Sequence, residues 1–333
     1  MTISAFAALA SKQALEPYAY EPRPLGSRDV EIAISHCGIC HSDLHVIDND
    51  WGSSRYPVVP GHEIVGTVAL TGSESSLALG TRVGVGWQRS ACHTCELCTS
   101  GNENLCARQE ATCVGHMGGF ADRIRLDERF VFPLPAALEA SAAAPLLCGG
   151  VTVFSPLRRW RVVAGMNVGV IGIGGLGHLA LRFLRALGCR TTAFTSSPDK
   201  RAEAARLGAD EVASSTDARE IRVHANRFDF LLCTVPARLD WITYVQTLKP
   251  NGVFCLVGAP PGLIQISPGP LLTGQRVICG SDIGSPAMIR EMLAFSATHA
   301  IGAEVETTPR ARVNEALQRV RDNRARYRMV LTS

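Results

Sequence analysis

The chain has 333 residues, 46% hydrophobic and 19% charged, with a formal net charge of +3. That length buries a large core and favours two domains over one, while a small charge without a long basic block argues against nucleic acid and a membrane surface as partners. No apolar run reaches the roughly 18 residues of a membrane span and no secretory pattern opens the chain, so its twelve cysteines are expected in a reducing cytoplasm.

In chain order, alternation from Val30 to His36 predicts a strand that enters a segment dense in sulfur and imidazole, Cys37-Gly38-Ile39-Cys40-His41-Ser42-Asp43. Glu63 to Leu70 after Pro60-Gly61-His62, and Arg82 to Gly86, predict further strands, and glycine is frequent up to about residue 135. This first part reads as a β-rich, partly barrel-like domain with long loops.

Within it stand Cys92, Cys95, Cys98 and Cys106, spaced C-x2-C-x2-C-x7-C in a hydrophilic, turn-rich stretch over residues 88–107. Four soft ligands at short spacing, with no open position, point to a closed structural Zn2+ site, with disulfides or free thiols as the other readings.

Past Leu138 the pattern changes to α/β. Ala140 to Leu147 is helix-compatible, and Val168 to Gly172 is an apolar strand buried on both faces. The loop Gly172-Ile173-Gly174-Gly175-Leu176-Gly177 precedes a predicted helix, His178 to Leu187. A strand at Thr191–Thr195, a helix from Asp199 to Leu207, a strand at Phe228–Thr234, a helix at Asp240–Leu248 and a strand at Gly252–Gly258 follow. Units of this kind predict a doubly wound parallel sheet. Arg312 to Arg321 reads as a helix and Tyr327 to Leu331 as a terminal strand that returns to the first domain. The expected organisation is a β-rich domain over 1–148, a doubly wound domain over 149–284, and a return to the first domain over 285–333.

Gly172, Gly174 and Gly177 fit the G-x-G-x-x-G pattern, in which the bare backbone turns tightly, approaches a pyrophosphate and packs helix on strand. The helix N-terminus then offers free N–H groups to phosphate. Where a ribose-binding carboxylate would end the second strand stand Thr195, Ser196 and Ser197, with Lys200 beyond. Neutral hydroxyls and a lysine favour a 2'-phosphate, hence NADP(H); the plainer reading has the serines capping the next helix and Lys200 in solvent.

The motifs Cys37 to His45, Pro60-Gly61-His62-Glu63, the four-cysteine lobe, Leu147-Cys148-Gly149-Gly150-Val151-Thr152, Gly172 to Gly177 and Arg326-Tyr327-Arg328 together resemble the zinc-dependent medium-chain alcohol dehydrogenases, in particular their cinnamyl alcohol dehydrogenase-like, NADP-dependent branch. The resemblance implies a GroES-like catalytic domain interrupted by a Rossmann domain. It also implies two Zn2+ per chain, with Cys40, His62 and Cys148 holding the catalytic one and leaving a fourth place for water or substrate oxygen. Glu63 resembles an acidic neighbour able to reach that metal as an alternative fourth ligand, and Asp43 a carboxylate that fixes the His62 tautomer. Ser42 and His45 resemble a proton path. His41, Thr152, Gly175, Leu176, Val257, Gly258, Ala259 and Ser281 match cofactor-contacting positions, whereas Asp282 departs from the bulkier apolar residue common in its place.

Between Cys106 and Phe120 the chain is shorter than that branch, which predicts a more open pocket lined by Trp51, Trp87 and His116 for apolar or aromatic aldehydes and alcohols; the plainer reading has the two tryptophans closing the barrel core. The resemblance also implies a homodimer through the edge of the Rossmann sheet, where Leu271-Leu272 and Arg276 to Cys279 are the candidate segment, an internal strand being the other reading of it. The alternatives are an NAD-dependent secondary-alcohol or polyol dehydrogenase, and a non-catalytic dinucleotide-binding protein.

Overall fold

The computed structural model describes residues 2–333. The chain forms two units, one made of residues up to Val151 together with Ile283–Ser333, the other of Thr152–Asp282.

The first unit is built on the long strand Asp29–Ile39, which pairs antiparallel with Glu63–Thr71, Arg123–Asp127 and Arg328–Thr332. Arg82–Val85 and Val131–Pro133 extend the sheet on one side, and Val305–Pro309 adds to Arg328–Thr332 in parallel on the other. The apolar sets of these strands, including Val30, Ile32, Ile64, Val68, Val83 and Val85, are buried together with Phe120 and Phe130. Register shifts between Glu31 and Ile32 and between Ile34 and His36 bend the long strand where it approaches Cys40.

The second unit is a six-stranded, all-parallel sheet in the order Glu211–Ser214, Arg190–Thr195, Asn167–Ile171, Phe228–Cys233, Leu248–Leu256, Val277–Gly280. By position in the chain this is the order 3-2-1-4-5-6 of a Rossmann sheet. The inner strands carry Val168, Val170, Ile171, Phe230 and Leu231, all buried, because helices cover both faces.

Several elements differ from the sequence expectation. Ala140–Leu147 is not one helix: a single α-turn, Ala140–Ala143, tightens into a 3-10 turn, Ala144–Leu147, where Pro145 offers no N–H to an i−4 carbonyl. The helices His41–Asp48, Gly149–Arg159 and Pro286–Thr298 lie where no helix is expected. The last begins at a cap that was legible, Ser285 accepting from the Met288 N–H with Pro286 at the first position. Glu211–Ser214 and Val305–Pro309 are strands at the outer ends of the two sheets, too short and polar to show alternation. Among the described residues no single helix is long and apolar enough to cross a membrane.

Candidate functional site

In the first unit, Cys40 follows the end of the long strand and is the N-cap residue of His41–Asp48, with extended backbone (φ −110°, ψ 158°). Asp43, three residues into that helix, is wholly buried and organises what surrounds it. Its Oδ2 accepts from the Cys40 N–H at 2.8 Å, while its Oδ1 accepts from the Gly61 N–H at 2.9 Å and lies 3.0 Å from His62 Nδ1. One carboxylate therefore holds the backbone of Cys40 and the ring of His62. With Nδ1 committed to Asp43, His62 presents Nε2, which is buried and has no hydrogen-bond partner.

Cys148, at the end of the 3-10 turn, completes the set: ligand atoms of Cys40, His62, Glu63 and Cys148 all lie within 4.8 Å of one another. A buried, partnerless imidazole nitrogen among two thiols is costly unless a metal uses it, and the set suits Zn2+. The neighbouring Cys148 sulfur holds the Cys40 thiol well below its ordinary range, while Cys40 and burial push the Cys148 thiol up. The residues present fit the metal.

Glu63 is buried beside these ligands, and its Oε1 accepts from Arg328 Nη2. Its other oxygen, Oε2, has no partner. Burial pushes the Glu63 carboxyl up to about 7 against the pull of the Arg328 guanidinium. A side chain at Gly38 would put its Cβ 2.1 Å from Glu63 Oε2, so glycine there makes the room that Glu63 occupies. Arg328 was not singled out by sequence reasoning, although the motif that contains it was. Cys113 was also missed; its buried Sγ lies 4.0 Å from His62 Nδ1.

Ser42 Oγ lies 3.7 Å from Cys40 Sγ. His45, near the end of the same helix, is partly exposed, and its Nδ1 is 2.7 Å from Asp50 Oδ2. Asp50 escaped the sequence reading; its signal was a carboxylate just beyond the C-terminus of the His45 helix. Aromatic contacts connect these parts. Trp87 meets His62 edge-on at 4.8 Å, Trp51 meets Trp87 edge-on at 5.9 Å, and Trp51 lies over His45 at 5.2 Å. Trp51 is 50% exposed and so is not core filling. His116 is engaged elsewhere, with Nε2 at 3.1 Å from Glu110 Oε2. His41 is exposed at the first position of its helix.

The four-cysteine lobe closes around the short helix Glu96–Thr99. Cys92 and Cys98 sulfurs are 3.8 Å apart and Cys95 and Cys106 sulfurs 3.9 Å, with all four within 4.8 Å. A tetrahedron of Zn–S bonds of about 2.3 Å has sulfurs about 3.8 Å apart, whereas a disulfide would need about 2.05 Å. All four are free thiols. The backbone N–H of Thr94 and its hydroxyl hold Cys92 down to about 4, and the Arg108 N–H donates to Cys106 Sγ at 3.3 Å, whereas burial pushes the Cys98 thiol up to about 12, so the four sulfurs are not alike without a metal between them.

In the second unit, Gly172 sits at φ +91°, and a Cβ on Gly177 would fall 1.9 Å from the Gly172 carbonyl oxygen. A Cβ on Gly174 would meet nothing within 4 Å, which leaves open space above the loop for a phosphate. Gly175 and Leu176 lead from it into the helix Gly177–Ala186. At the end of the next strand, Thr195 Oγ1 accepts from the Ser197 N–H, Ser196 is exposed, and Lys200 Nζ donates to the Ile173 carbonyl at 3.1 Å, which brings the lysine back to the glycine loop. The following helix has Asp199 as its N-cap residue without a side-chain cap bond, so neither serine is consumed as that cap. Thr152 is buried, the N–H groups of Val257 and Gly258 both donate to the Cys233 carbonyl, Ala259 follows them, and the Ser281 N–H donates to Leu256. These bonds fasten the ends of three neighbouring strands.

A model of the alcohol dehydrogenase GroES-like domain matches residues 26–136, and one of the zinc-binding dehydrogenases matches residues 175–298. The chain is 46% identical to the aldehyde reductase AdhA of Synechocystis sp., over 99% of this chain and 98% of that protein. Among solved structures it resembles a cinnamyl alcohol dehydrogenase of Sorghum bicolor (TM-score 0.96, 39% identity, covering 100% of this chain and 98% of the other). It also resembles the cinnamyl alcohol dehydrogenase of Helicobacter pylori complexed with NADP(H) (TM-score 0.93, 31% identity, covering 100% and 98%).

Proposed function

The chain belongs to the zinc-dependent medium-chain alcohol dehydrogenases, in their cinnamyl alcohol dehydrogenase-like branch, and we propose that it works as an NADP(H)-dependent aldehyde reductase and alcohol dehydrogenase holding two Zn2+. The observation that carries this reading is the buried, partnerless Nε2 of His62 between the Cys40 and Cys148 thiols. Cys40, His62 and Cys148 would hold the catalytic ion, with Glu63 able to join them, and Cys92, Cys95, Cys98 and Cys106 would hold the structural one.

When bound, zinc supplies a Lewis acid toward the carbonyl oxygen, and NADPH supplies the hydride for the carbonyl carbon. The chain supplies the proton. His45 keeps hydrogen on Nδ1 toward Asp50, which leaves Nε2 as the nitrogen that exchanges a proton with the relay beginning at the Ser42 hydroxyl. The sense of proton flow reverses when an alcohol is oxidised. Asp43 keeps His62 in one tautomer throughout.

NADP(H) is favoured over NAD(H) because the second strand of the parallel sheet ends in Thr195, Ser196 and Ser197 with no carboxylate, and Lys200 lies at the glycine loop. An NAD-dependent polyol or secondary-alcohol dehydrogenase would lack its ribose acceptor here, and a non-catalytic binder would have no use for the Cys40, His62 and Cys148 set. The Trp51 and Trp87 wall favours aromatic or other apolar aldehydes. The relative AdhA, an aldehyde reductase, supports an aldehyde substrate, and the two cinnamyl alcohol dehydrogenases support an aromatic one. Free cysteines throughout support a cytoplasmic location. The terminal strand Val277–Gly280 with exposed Leu272 nearby supports a homodimer through that edge.

The test is steady-state turnover of zinc-replete protein with cinnamaldehyde and benzaldehyde, comparing NADPH with NADH and counting zinc per chain. About two zincs and a clear NADPH preference are expected. Absence of turnover across a broad aldehyde and ketone panel would overturn the reading, and preference for NADH would overturn the cofactor assignment.

A further inference from the structure

Six cysteines lie outside the two metal-binding sets, and all are free thiols: Cys37, Cys113, Cys189, Cys233, Cys255 and Cys279. Burial pushes the thiols of Cys37, Cys113, Cys189 and Cys233 up, which keeps them protonated and unreactive. Cys255 and Cys279 behave differently because they are placed differently. They stand directly opposite each other in the neighbouring parallel strands Leu248–Leu256 and Val277–Gly280.

Neighbouring strands lie about 4.8 Å apart and opposed residues point to the same face. That separation falls within the Cα span of roughly 4.4–6.8 Å that a disulfide bridges. The two thiols are each other's neighbours across the strand pair, and the Arg159 guanidinium and the Trp160 indole lie beside Cys279. Trp160 Nε1 is buried and has no hydrogen-bond partner of ordinary geometry. The neighbouring Cys255 holds the Cys279 thiol below its ordinary range, aided by Trp160 and Arg159, while Cys279 and burial hold Cys255 well above. Access is unequal as well: Cys255 is fully buried, whereas Cys279 is partly exposed on the last strand of the sheet. A nucleophilic outer thiol beside a buried inner one is the arrangement of an attacking and a resolving cysteine.

We propose that Cys255 and Cys279 form a redox dithiol, closed by hydrogen peroxide into a disulfide across the two strands and reopened by a thiol reductant. The Cys279 sulfur attacks one peroxide oxygen, the O–O bond breaks, and the departing hydroxide takes a proton to become water, leaving a sulfenic acid. The Cys255 sulfur then displaces that hydroxyl, which leaves with the Cys255 proton as a second water. Two thiols are oxidised by two electrons and one peroxide is reduced to two waters. Pairing of a second copy along the strand edge uses backbone groups, so the thiols, pointing to the sheet face, remain opposite each other. The bridge would form two residues before Ser281 and three before Gly258, in segments expected to face the cofactor.

The zinc-loaded protein is titrated with hydrogen peroxide, its remaining thiols are blocked with iodoacetamide, and unreduced peptides are mapped by mass spectrometry. The expected product joins the peptides of Cys255 and Cys279 before zinc is released, and dithiothreitol reverses it. In Cys255→Ala the link is lost and a sulfenic-acid-trapping dione labels Cys279; in Cys279→Ala neither appears, with NADPH titration verifying that each variant is folded. If Cys255→Ala does not fold, the wild-type link and its loss in Cys279→Ala decide the matter. Recovery of both cysteines alkylated and unlinked after zinc has begun to leave overturns the proposal. So does Cys279 joined to Cys279 of a second copy.

Discussion

The two proposed metal-binding sets of the first unit would use the same thiol chemistry to opposite ends. The lobe of Cys92, Cys95, Cys98 and Cys106 takes all its ligands from a stretch of 15 residues, leaves no ligand place open, and prepares its sulfurs with local N–H groups of Cys95 and Arg108. The set of Cys40, His62 and Cys148 takes its ligands from three distant segments, replaces one thiol with imidazole, and depends on Asp43 and the Glu63–Arg328 pair behind it. A local, closed set contributes its binding energy to folding; a dispersed set with an open place spends it on positioning a reactive centre. Substitutions should separate along that line.

The largest effect on activity is expected from Cys148→Ser. Turnover should fall about 10³-fold, the loss of roughly 4 kcal/mol of transition-state stabilisation, while thermal melting and NADPH binding stay near normal. Nearly full kcat in this variant would remove the distinction between the sets. Cys106→Ser should act on stability instead. One zinc per chain should be lost by metal analysis and the melting temperature should fall by roughly 10 °C, as a loss of about 3 kcal/mol does in a domain of this size. A melting point equal to that of the unsubstituted protein would mean that the lobe does not support the fold.

Asp43→Asn sharpens the comparison from behind the dispersed set. An amide still accepts from the Cys40 N–H but no longer fixes the His62 ring with a charge, so zinc affinity or kcat should fall about 10- to 100-fold, while the four-cysteine lobe keeps its metal. Chelator competition that strips both zincs at equal rates would contradict the independence of the two sets. The smallest effect belongs to Asp50→Asn, which weakens the hold on His45 Nδ1 without touching a zinc ligand. Turnover should drop about tenfold, with an altered pH profile and unchanged zinc content. An unchanged profile would show that His45 does not carry the proton.

Much of this was readable because it is local. The four-cysteine lobe and the G-x-G-x-x-G loop are complete within a few turns of chain, and the strands at Glu63–Thr71, Arg190–Thr195 and Phe228–Cys233 show their burial pattern in their own residues. The helix His41–Asp48 was hidden because Asp43, a polar residue, is buried there for the sake of its neighbours. The helix expected over Ala140–Leu147 broke at Pro145, although that residue was in plain view. Trp51 and Trp87 are contiguous with His62 and His45, but nothing in their spacing distinguishes a pocket wall from barrel filling.

By itself the sequence determined the chemistry available to this protein: which residues can bind a soft metal, where a phosphate can approach bare backbone, and that no carboxylate waits at Thr195 to exclude a 2'-phosphate. Only the tertiary structure decided which of those groups meet. Arg328 reaches Glu63 across 265 residues, Asp43 meets His62 across 19, and Cys148 joins both through a turn that its neighbours pack against the sheet. Short-range spacing reports only what a few rotations of the backbone can bring together. Long-range partners are set by strand register and by burial, and a charge such as Asp43 or Arg328 is tolerated in the interior only once the fold has supplied its partner.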